Sequence, residues 1–379
     1  MPVHRTWVEL DERALVSNLN VLRSLLAPGA RFCAVVKANA YGHGLRETVQ
    51  SLARNGVDAF AVDSLDDALL LRSLLPSAVI LVSGYVVRER LAEAVRAGVS
   101  LTVYDKETVR ALDACAGADV RTAAVHVKVE TGTNRQGVLP EGLADLLETI
   151  RACPRVSLEG VSTHFANIED PADTRFATLQ LSRFQEALNA VHAAGFTPPF
   201  VHCACSAALI LYPDTHFSLV RAGISLYGHW SAPETQLAAI KHMVKCDLSP
   251  VLSWKTRVAQ VKQVPAGVSV GYGLSETTRR PTRLAILPVG YWDGYDRSLS
   301  SVGEVLIAGN RCKVMGRVCM NMLMVDASAV PNLQPEQEAV LIGRGGRHHV
   351  TAEELAARTG TIAYEVLSRI NPTLPRIVV

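Results

Sequence analysis

Eight short β-rich runs, spaced by amphipathic helical stretches, fill the first two-thirds of the sequence and leave few folds open to it. The runs are Phe32–Lys37, Asp58–Val62, Ala78–Val82, Val99–Val103, Ala123–Val129, Val156–Ser162, Phe200–Cys203 and Ser218–Ala222. Between them lie helical patterns such as Asp11–Leu26, Leu65–Leu75 and Phe176–Ala194. In the first of these, Leu15, Leu19 and Leu22 follow Asp11 as one apolar stripe at helical spacing. Eight strands alternating with helices over roughly 200–250 residues predict a (β/α)8 barrel of the TIM type. An open doubly wound sheet usually carries a GxGxxG turn after its first strand, and none is present. From about residue 245 the helical period stops. β-branched runs take over at Val251–Val264, Leu284–Val289, Val302–Ala308, Arg311–Arg317, Asn321–Asp326 and Ala339–Gly343, divided by turns such as Pro265-Ala266-Gly267. The expected layout of the 379 residues is a barrel over 11–244 and a mostly β domain over 245–379. The strand Thr6–Leu10, within residues 1–10, is expected to join the C-terminal sheet. Two late helices are expected, at Ala352–Arg358 and Tyr364–Ile370.

The charge balance is near neutral, with 38 basic against 36 acidic side chains, so no nucleic-acid partner is expected. No run approaches the ~18 apolar residues of a membrane helix. Met1–Leu10 has no apolar leader core, so a cytoplasmic protein is expected. The eight cysteines include no CxxC pair and sit mostly in apolar runs; they read as reduced core thiols, and no metal site is expected. Only 8 of the 38 basic residues are lysines, which makes a lysine at the end of an apolar strand informative.

Barrel enzymes place their chemistry at the C-terminal ends of the strands. The first run ends in Lys37, where partial desolvation favours the neutral amine that a Schiff-base lysine requires. Taken alone, Lys37 also reads as a side chain reaching from a strand end into water. The fifth run leads to Lys128 and, past a turn, Arg135. The sixth leads to His164, the seventh carries His202 and leads to Ser206, and the eighth ends in Arg221-Ala222-Gly223-Ile224. Two lysines, two arginines and two histidines at one barrel mouth are hard to account for as structure. Gly223 and Ile224 offer backbone N–H groups which, with the Ser206 hydroxyl and Tyr41, form a candidate phosphate cradle at the strand 7–8 corner. A phosphate cradle beside a Schiff-base lysine points to pyridoxal 5'-phosphate.

The segment Val35-Val36-Lys37-Ala38-Asn39-Ala40-Tyr41-Gly42-His43-Gly44 resembles the pyridoxal-phosphate attachment motif of bacterial alanine racemases. The similarity runs nearly end to end. It takes in Lys128–Gly137, Thr163-His164-Phe165-Ala166, Arg221-Ala222-Gly223-Ile224, Gly271-Tyr272-Gly273, Gly290–Arg297, Gly316–Met320 and Tyr364-Glu365. The resemblance implies a pyridoxal-phosphate barrel with a β domain, interconverting L- and D-alanine and supplying D-alanine for peptidoglycan. Lys37 would hold the cofactor and act as base on one face of the substrate. Tyr272 would be the base on the other face, with His164 and Arg221 supplying the polar help a tyrosine needs for that task. Arg221 would face the pyridine nitrogen with His202 behind it; an arginine keeps its proton, so the ring is a weaker electron sink than one paired with a carboxylate. Arg135 would bind the substrate carboxylate, with the Met320 backbone N–H from the other chain. Lys128 would carry a carbamate that orients Arg135. Tyr41, Ser206, Gly223, Ile224 and Tyr364 would hold phosphate. The implied assembly is a homodimer with shared active sites.

Three places depart from the family pattern: Cys205 stands where asparagine is usual, Asn321 where aspartate is usual, and the C-terminal Leu374-Pro375-Arg376 only approximates the family's arginine-proline pattern. Two rival functions follow from the same residues. One is a serine or broad-specificity racemase of this fold, since a one-hydroxyl difference is weakly discriminated by a small apolar pocket. The other is a non-catalytic pyridoxal-phosphate-binding protein, which has no use for Tyr272 or for residues 245–379. His348-His349 is expected in a solvated loop, and Asp293 and Asp296 as turn formers.

Overall fold

The computed structural model describes residues 3–116 and 122–379. The chain forms two compact units: residues up to Ala14 with Asn39–Glu47 and Pro250–Val379, and Leu15–Ala38 with Thr48–Ser249. It opens with β1 (Thr6–Leu10) in the first unit. The second unit holds eight parallel strands: β2 (Arg31–Val35), β3 (Ala59–Val62), β4 (Val79–Val82), β5 (Ser100–Val103), β6 (Ala123–Lys128), β7 (Val156–Ser162), β8 (Phe200–His202) and β9 (Leu219–Ala222). Each of the eight predicted runs is present, with boundaries shifted by two residues at most.

Their order is β8-β7-β6-β5-β4-β3-β2-β9. The two ends meet through Ser218 N–H to Val201 O and Arg221 N–H to Ala204 O, both 3.2 Å, so the barrel is nearly closed. Alternate residues face inward. Cys33, Ala59, Ala61, Leu81 and Leu219 form a buried inner cluster, with Val35, Val79 and Phe200 packed on it. Burial pushes the Cys33 thiol up to about 12, which makes it an inert packing group. The β6–β7 ladder has one irregularity. Val125 pairs with Leu158 and His126 with Gly160, so Glu159 is an extra residue in a β-bulge.

The first unit adds β10 (Leu252–Arg257), β11 (Gln260–Val264), β12 (Thr282–Leu287), β13 (Glu304–Ile307), β14 (Asn310–Lys313), β15 (Leu323–Asp326), β16 (Glu338–Gly345), β17 (His348–Val350) and β18 (Arg376–Val378). One sheet runs β14-β13-β16-β10-β1-β18 with β17 on β16, and a second runs β11-β12-β15. Val251–Val264, expected as one run, divides between these sheets. At the division Val258 N–H bonds Gln337 O (2.9 Å) and Ala259 N–H bonds Ile286 O (2.8 Å), so the backbone changes partner within two residues. His348 and His349 lie in a hairpin strand rather than the expected loop, paired with Gly345 and Arg344. Trp7 and Trp254 are both buried. The late helices run Ala352–Thr359, capped by the Thr351 side chain on Glu354 N–H, and Ala363–Ser368. Among the described residues no helix is long and apolar enough to cross a membrane.

Candidate active site

Lys37 was expected to end the first barrel strand. The strand stops at Val35 instead, and Lys37 opens a single helical turn, Lys37–Tyr41. That turn is left-handed: Ala38, Asn39, Ala40 and Tyr41 all have φ of 53–54°. L-residues pay about 1–2 kcal/mol each for this conformation, so four in a row store roughly 4–8 kcal/mol. Such strain persists only where the surroundings over-determine it. Here Asn39 Oδ1 accepts Leu45 N–H at 2.8 Å, and Asn39 O accepts Gly44 N–H at 2.9 Å. His43 is fully buried and its Nδ1 donates to the Ala40 and Tyr41 carbonyls, both 3.1 Å away. Arg376 Nη2 reaches Gly42 O at 2.9 Å, while its Nη1 holds the Asn371 and Leu374 carbonyls at 2.7 Å each. Burial pushes the Arg376 guanidinium down to about 10, consistent with a cation enclosed by carbonyls. The buried Tyr41 ring meets Tyr364, centroids 6.0 Å apart.

At the C-terminal ends of the barrel strands, Lys37, Arg135 and Arg221 all lie close enough to act on Lys128. Burial and then the charges of Arg221, Arg135 and Lys37 push the Lys128 ammonium down to about 8; Glu130 opposes the shift. Glu130 shapes the loop that carries Arg135. Its carboxylate accepts Gly132 N–H at 2.6 Å and Arg135 N–H at 3.2 Å. Burial raises its pKa, but the backbone N–H groups of residues 132–135 outweigh that and hold it below the usual range. Arg135 itself is exposed.

Arg221 makes its bonds to neutral acceptors. Nη1 bonds His202 Nδ1 and His202 O (3.1 Å); Nη2 bonds Thr163 O (3.0 Å), Cys203 O (3.2 Å) and His164 Nδ1 (3.3 Å). Burial, followed by Arg221, Lys128, Arg135 and Lys37, pushes His164 well below the usual imidazole range, so it is neutral at pH 7. Burial and Arg221 do the same to His202.

Ser206, buried at the start of the helix Ser206–Leu211, accepts Gly223 N–H at 3.0 Å and Ser225 N–H at 3.4 Å on its Oγ. Ile224 starts a 3-10 turn through Tyr227. This corner therefore gathers one buried hydroxyl and several backbone donors. The donor set fits pyridoxal phosphate and an amino-acid carboxylate. Four clustered cations call for anions, and a hydroxyl gathered with backbone N–H groups is phosphate chemistry.

In the β-rich unit, Tyr272 stands in an exposed 3-10 turn, Tyr272–Leu274, with 72% of its surface accessible. Glu276 ties this turn to the strand leading to Met320, accepting Gly316 N–H at 2.7 Å and pairing Lys313 at 2.8 Å. Met320 O accepts Trp292 N–H at 3.0 Å. Tyr272, Leu274, Tyr291, Trp292, Met320 and Met322 are all exposed in this unit.

Residues 10–231 match the family "Alanine racemase, N-terminal domain" and residues 251–378 match "Alanine racemase, C-terminal domain". The chain belongs to the alanine racemase family. An alanine racemase of Desulfovibrio desulfuricans is 40% identical over 373 residues, with 98% of each chain covered. The solved alanine racemase of Clostridium difficile 630 superposes with a TM-score of 0.94 at 32% identity, covering 100% of this chain and 97% of that one. A histidine racemase of Leuconostoc mesenteroides subsp. sake has a TM-score of 0.88 at 28% identity, covering 100% of this chain and 99% of that one. This chain is a pyridoxal-phosphate-dependent isomerase that interconverts L- and D-alanine.

Several residues of this alanine racemase site escaped the sequence reading. Glu130 follows the lysine-bearing strand by two residues and reads as an ordinary loop acid. His126 and Glu159 look like strand interiors of no distinct function. Arg376 stands out in sequence only as part of Leu374-Pro375-Arg376, 339 residues from Lys37, with nothing to tie it to the Lys37 turn. For Glu130 a signal was present: an acid followed by Thr-Gly is a common way to fold a turn. For the other three the decisive information is which strands are neighbours.

Proposed function

We propose that Lys37 and Tyr272 are the two bases of alanine racemisation, working on opposite faces of the substrate. The observation that carries this reading is the cation-rich barrel mouth, where Lys37, Lys128, Arg135 and Arg221 cluster beside the Ser206 donor corner. Bound pyridoxal phosphate supplies the electron sink that acidifies the substrate α-carbon. Lys37 would hold that group and would be the base that exchanges a proton with the α-carbon on one side. Ser206, Gly223 and Ile224 would hold the phosphate, a role extended to Tyr41 and Tyr364. Arg221 would pair with the ring nitrogen while keeping its own proton. Arg135 holds the alanine carboxylate, aided by the Met320 N–H. His164, held neutral among cations, offers Tyr272 a hydrogen-bond partner without taking up a proton of its own.

Tyr272 acts from the partner subunit of a homodimer. The exposed group of Tyr272, Tyr291, Trp292 and Met320 supports this, because a soluble monomer rarely leaves so many large apolar side chains together in water. The eight unpaired cysteines fit the reducing cytoplasm, where D-alanine for peptidoglycan would be made.

Two bases predict a labelling pattern. During L-to-D conversion in heavy water, early D-alanine should carry solvent deuterium while the remaining L-alanine stays protiated. Retention of the original α-proton in early product would mean that one base serves both faces.

Lys128 is read as the carbamylated lysine. An amine brought down to about 8 is neutral far more often at pH 7 than an ordinary lysine, and only the neutral amine adds carbon dioxide. The carbamate would also turn an unfavourable cation beside Arg135 into a partner. Lys128→Ala is expected to lower kcat/KM for alanine on the order of tenfold, with partial recovery in added acetate. No loss, or a loss that acetate does not touch, would remove this role.

A further inference from the structure

Behind Arg221 a hydrogen-bonded line crosses the barrel interior. His202 on β8 bonds Arg221 through Nδ1 and His126 on β6 through Nε2, the two ring nitrogens 2.8 Å apart. His126 Nε2 then meets Glu159 Oε2 on β7 at 3.1 Å, and Ser100 Oγ on β5 donates to the same carboxylate oxygen. His126 and His202 are each 1% exposed. His126 also stacks on Phe200 of the inner cluster, centroids 5.8 Å apart, which places the line inside the barrel.

Two features of the backbone make room for it. Glu159 is the extra residue of the β6–β7 bulge, and a bulge re-aims a side chain that strict alternation would send elsewhere. The next residue is Gly160, where an added Cβ would lie 2.6–2.7 Å from His126 Cε1 and Cγ. Only glycine leaves the ring its place.

The proton positions along this line have one solution. Arginine only donates, so His202 Nδ1 must be a lone pair and His202 carries its proton on Nε2. It donates to His126 Nδ1, so His126 also carries its proton on Nε2 and donates to the carboxylate. The reverse polarity fails, because a His202 protonated on Nδ1 would set N–H against N–H at Arg221. We propose that Glu159 is a positioning residue: by accepting from His126 it fixes both imidazoles in the Nε2–H tautomer and so holds Arg221 in place without a carboxylate beside it. Burial pushes Glu159 up, but its bonds from His126 and Ser100 outweigh this and keep it ionised. Arg31, on β2, is paired with Asp58 at 2.8 Å. Through two neutral rings Glu159 supplies remote polarisation, and Arg221 keeps its charge at the barrel mouth. The consequence for catalysis rests on the reading of Arg221 as the residue facing the ring nitrogen; the tautomer assignment does not.

The test is nitrogen NMR on 15N-histidine-labelled holoenzyme, with His126→Asn and His202→Asn spectra assigning the two rings. In wild type both should show protonated Nε2 and bare Nδ1. Glu159→Gln keeps an acceptor oxygen and should keep both tautomers, with kcat within about threefold of wild type. Glu159→Leu removes the acceptor. It should shift the His126 and His202 resonances, move the cofactor absorbance band and lower kcat about tenfold with KM for alanine nearly constant. Gly160→Ala should displace the same two resonances with Glu159 intact, which keeps the test open if the leucine variant does not fold. A wild-type His202 protonated on Nδ1, or resonances indifferent to both Glu159→Leu and Gly160→Ala, would overturn the proposal. Resonances that move while the absorbance band and kcat do not would uphold the relay and discard the role of Arg221 at the cofactor.

Discussion

Lys37→Ala and Tyr272→Phe proteins, each inactive alone, are expected to recover about a quarter of wild-type activity when unfolded together and refolded in equal amounts. Lys37→Ala removes both the covalent anchor and one base, and Tyr272→Phe removes the only proton-carrying atom on the other face. If Tyr272 completes the site of the partner barrel, random pairing makes about half of all dimers mixed. Each mixed dimer holds one site with both substitutions and one with neither. One intact site in every four follows. Verified mixed dimers without activity would show that both bases come from the same chain. The Lys37→Ala protein should also be colourless and take no borohydride-fixed label, whereas wild type should be yellow and labelled at Lys37 alone.

Gly42→Ala is expected to be nearly as damaging, although Gly42 touches no reacting atom. Gly42 has φ of 85°, and its added Cβ would lie 2.8 Å from the Leu367 carbonyl carbon and closer still to the oxygen. Neither backbone can yield without loosening the helix Ala363–Ser368 or the left-handed turn. Strain and overlap together should cost roughly 3–5 kcal/mol. The turn then has an ordinary right-handed alternative, which moves Lys37 and Tyr41 off their present line. We expect a protein that melts several degrees lower, binds pyridoxal phosphate weakly and racemises alanine at under a hundredth of the wild-type rate. A yellow, fully active Gly42→Ala enzyme would mean that the turn is set by other contacts.

The barrel was legible because its signal is periodic and local. Eight apolar runs at regular spacing admit one common closed solution, and strand ends such as Val62 and Ser162 fall where the pattern puts them. The clustering of Lys37, Lys128, Arg135 and Arg221 was legible for the same reason: a barrel gathers its strand ends. What the pattern could not carry is conformation against propensity. Ala38-Asn39-Ala40-Tyr41 contains no glycine, and nothing in those four residues announces positive φ; the distant Arg376 and Leu367 impose it. The bulge at Glu159 is hidden likewise. Val156–Ser162 reads as a regular strand, and only its neighbour on β6 reveals the extra residue. Val251–Val264 was merged because a strand that changes sheet without a turn leaves no glycine or proline to mark the change.

The clamp on the Lys37 turn also has a history within each molecule. Gly42 waits for Leu367 and Arg376, which leave the ribosome more than 300 residues later. At 5–20 residues per second that interval is on the order of half a minute. Throughout it, the nascent chain carries Lys37 on a segment free to adopt the cheaper right-handed form. The left-handed turn is therefore completed only after the C-terminal helix and strand have been made. A truncated or stalled chain, even one with all eight barrel strands emerged, lacks the Arg376 that reaches the Gly42 carbonyl beside the turn.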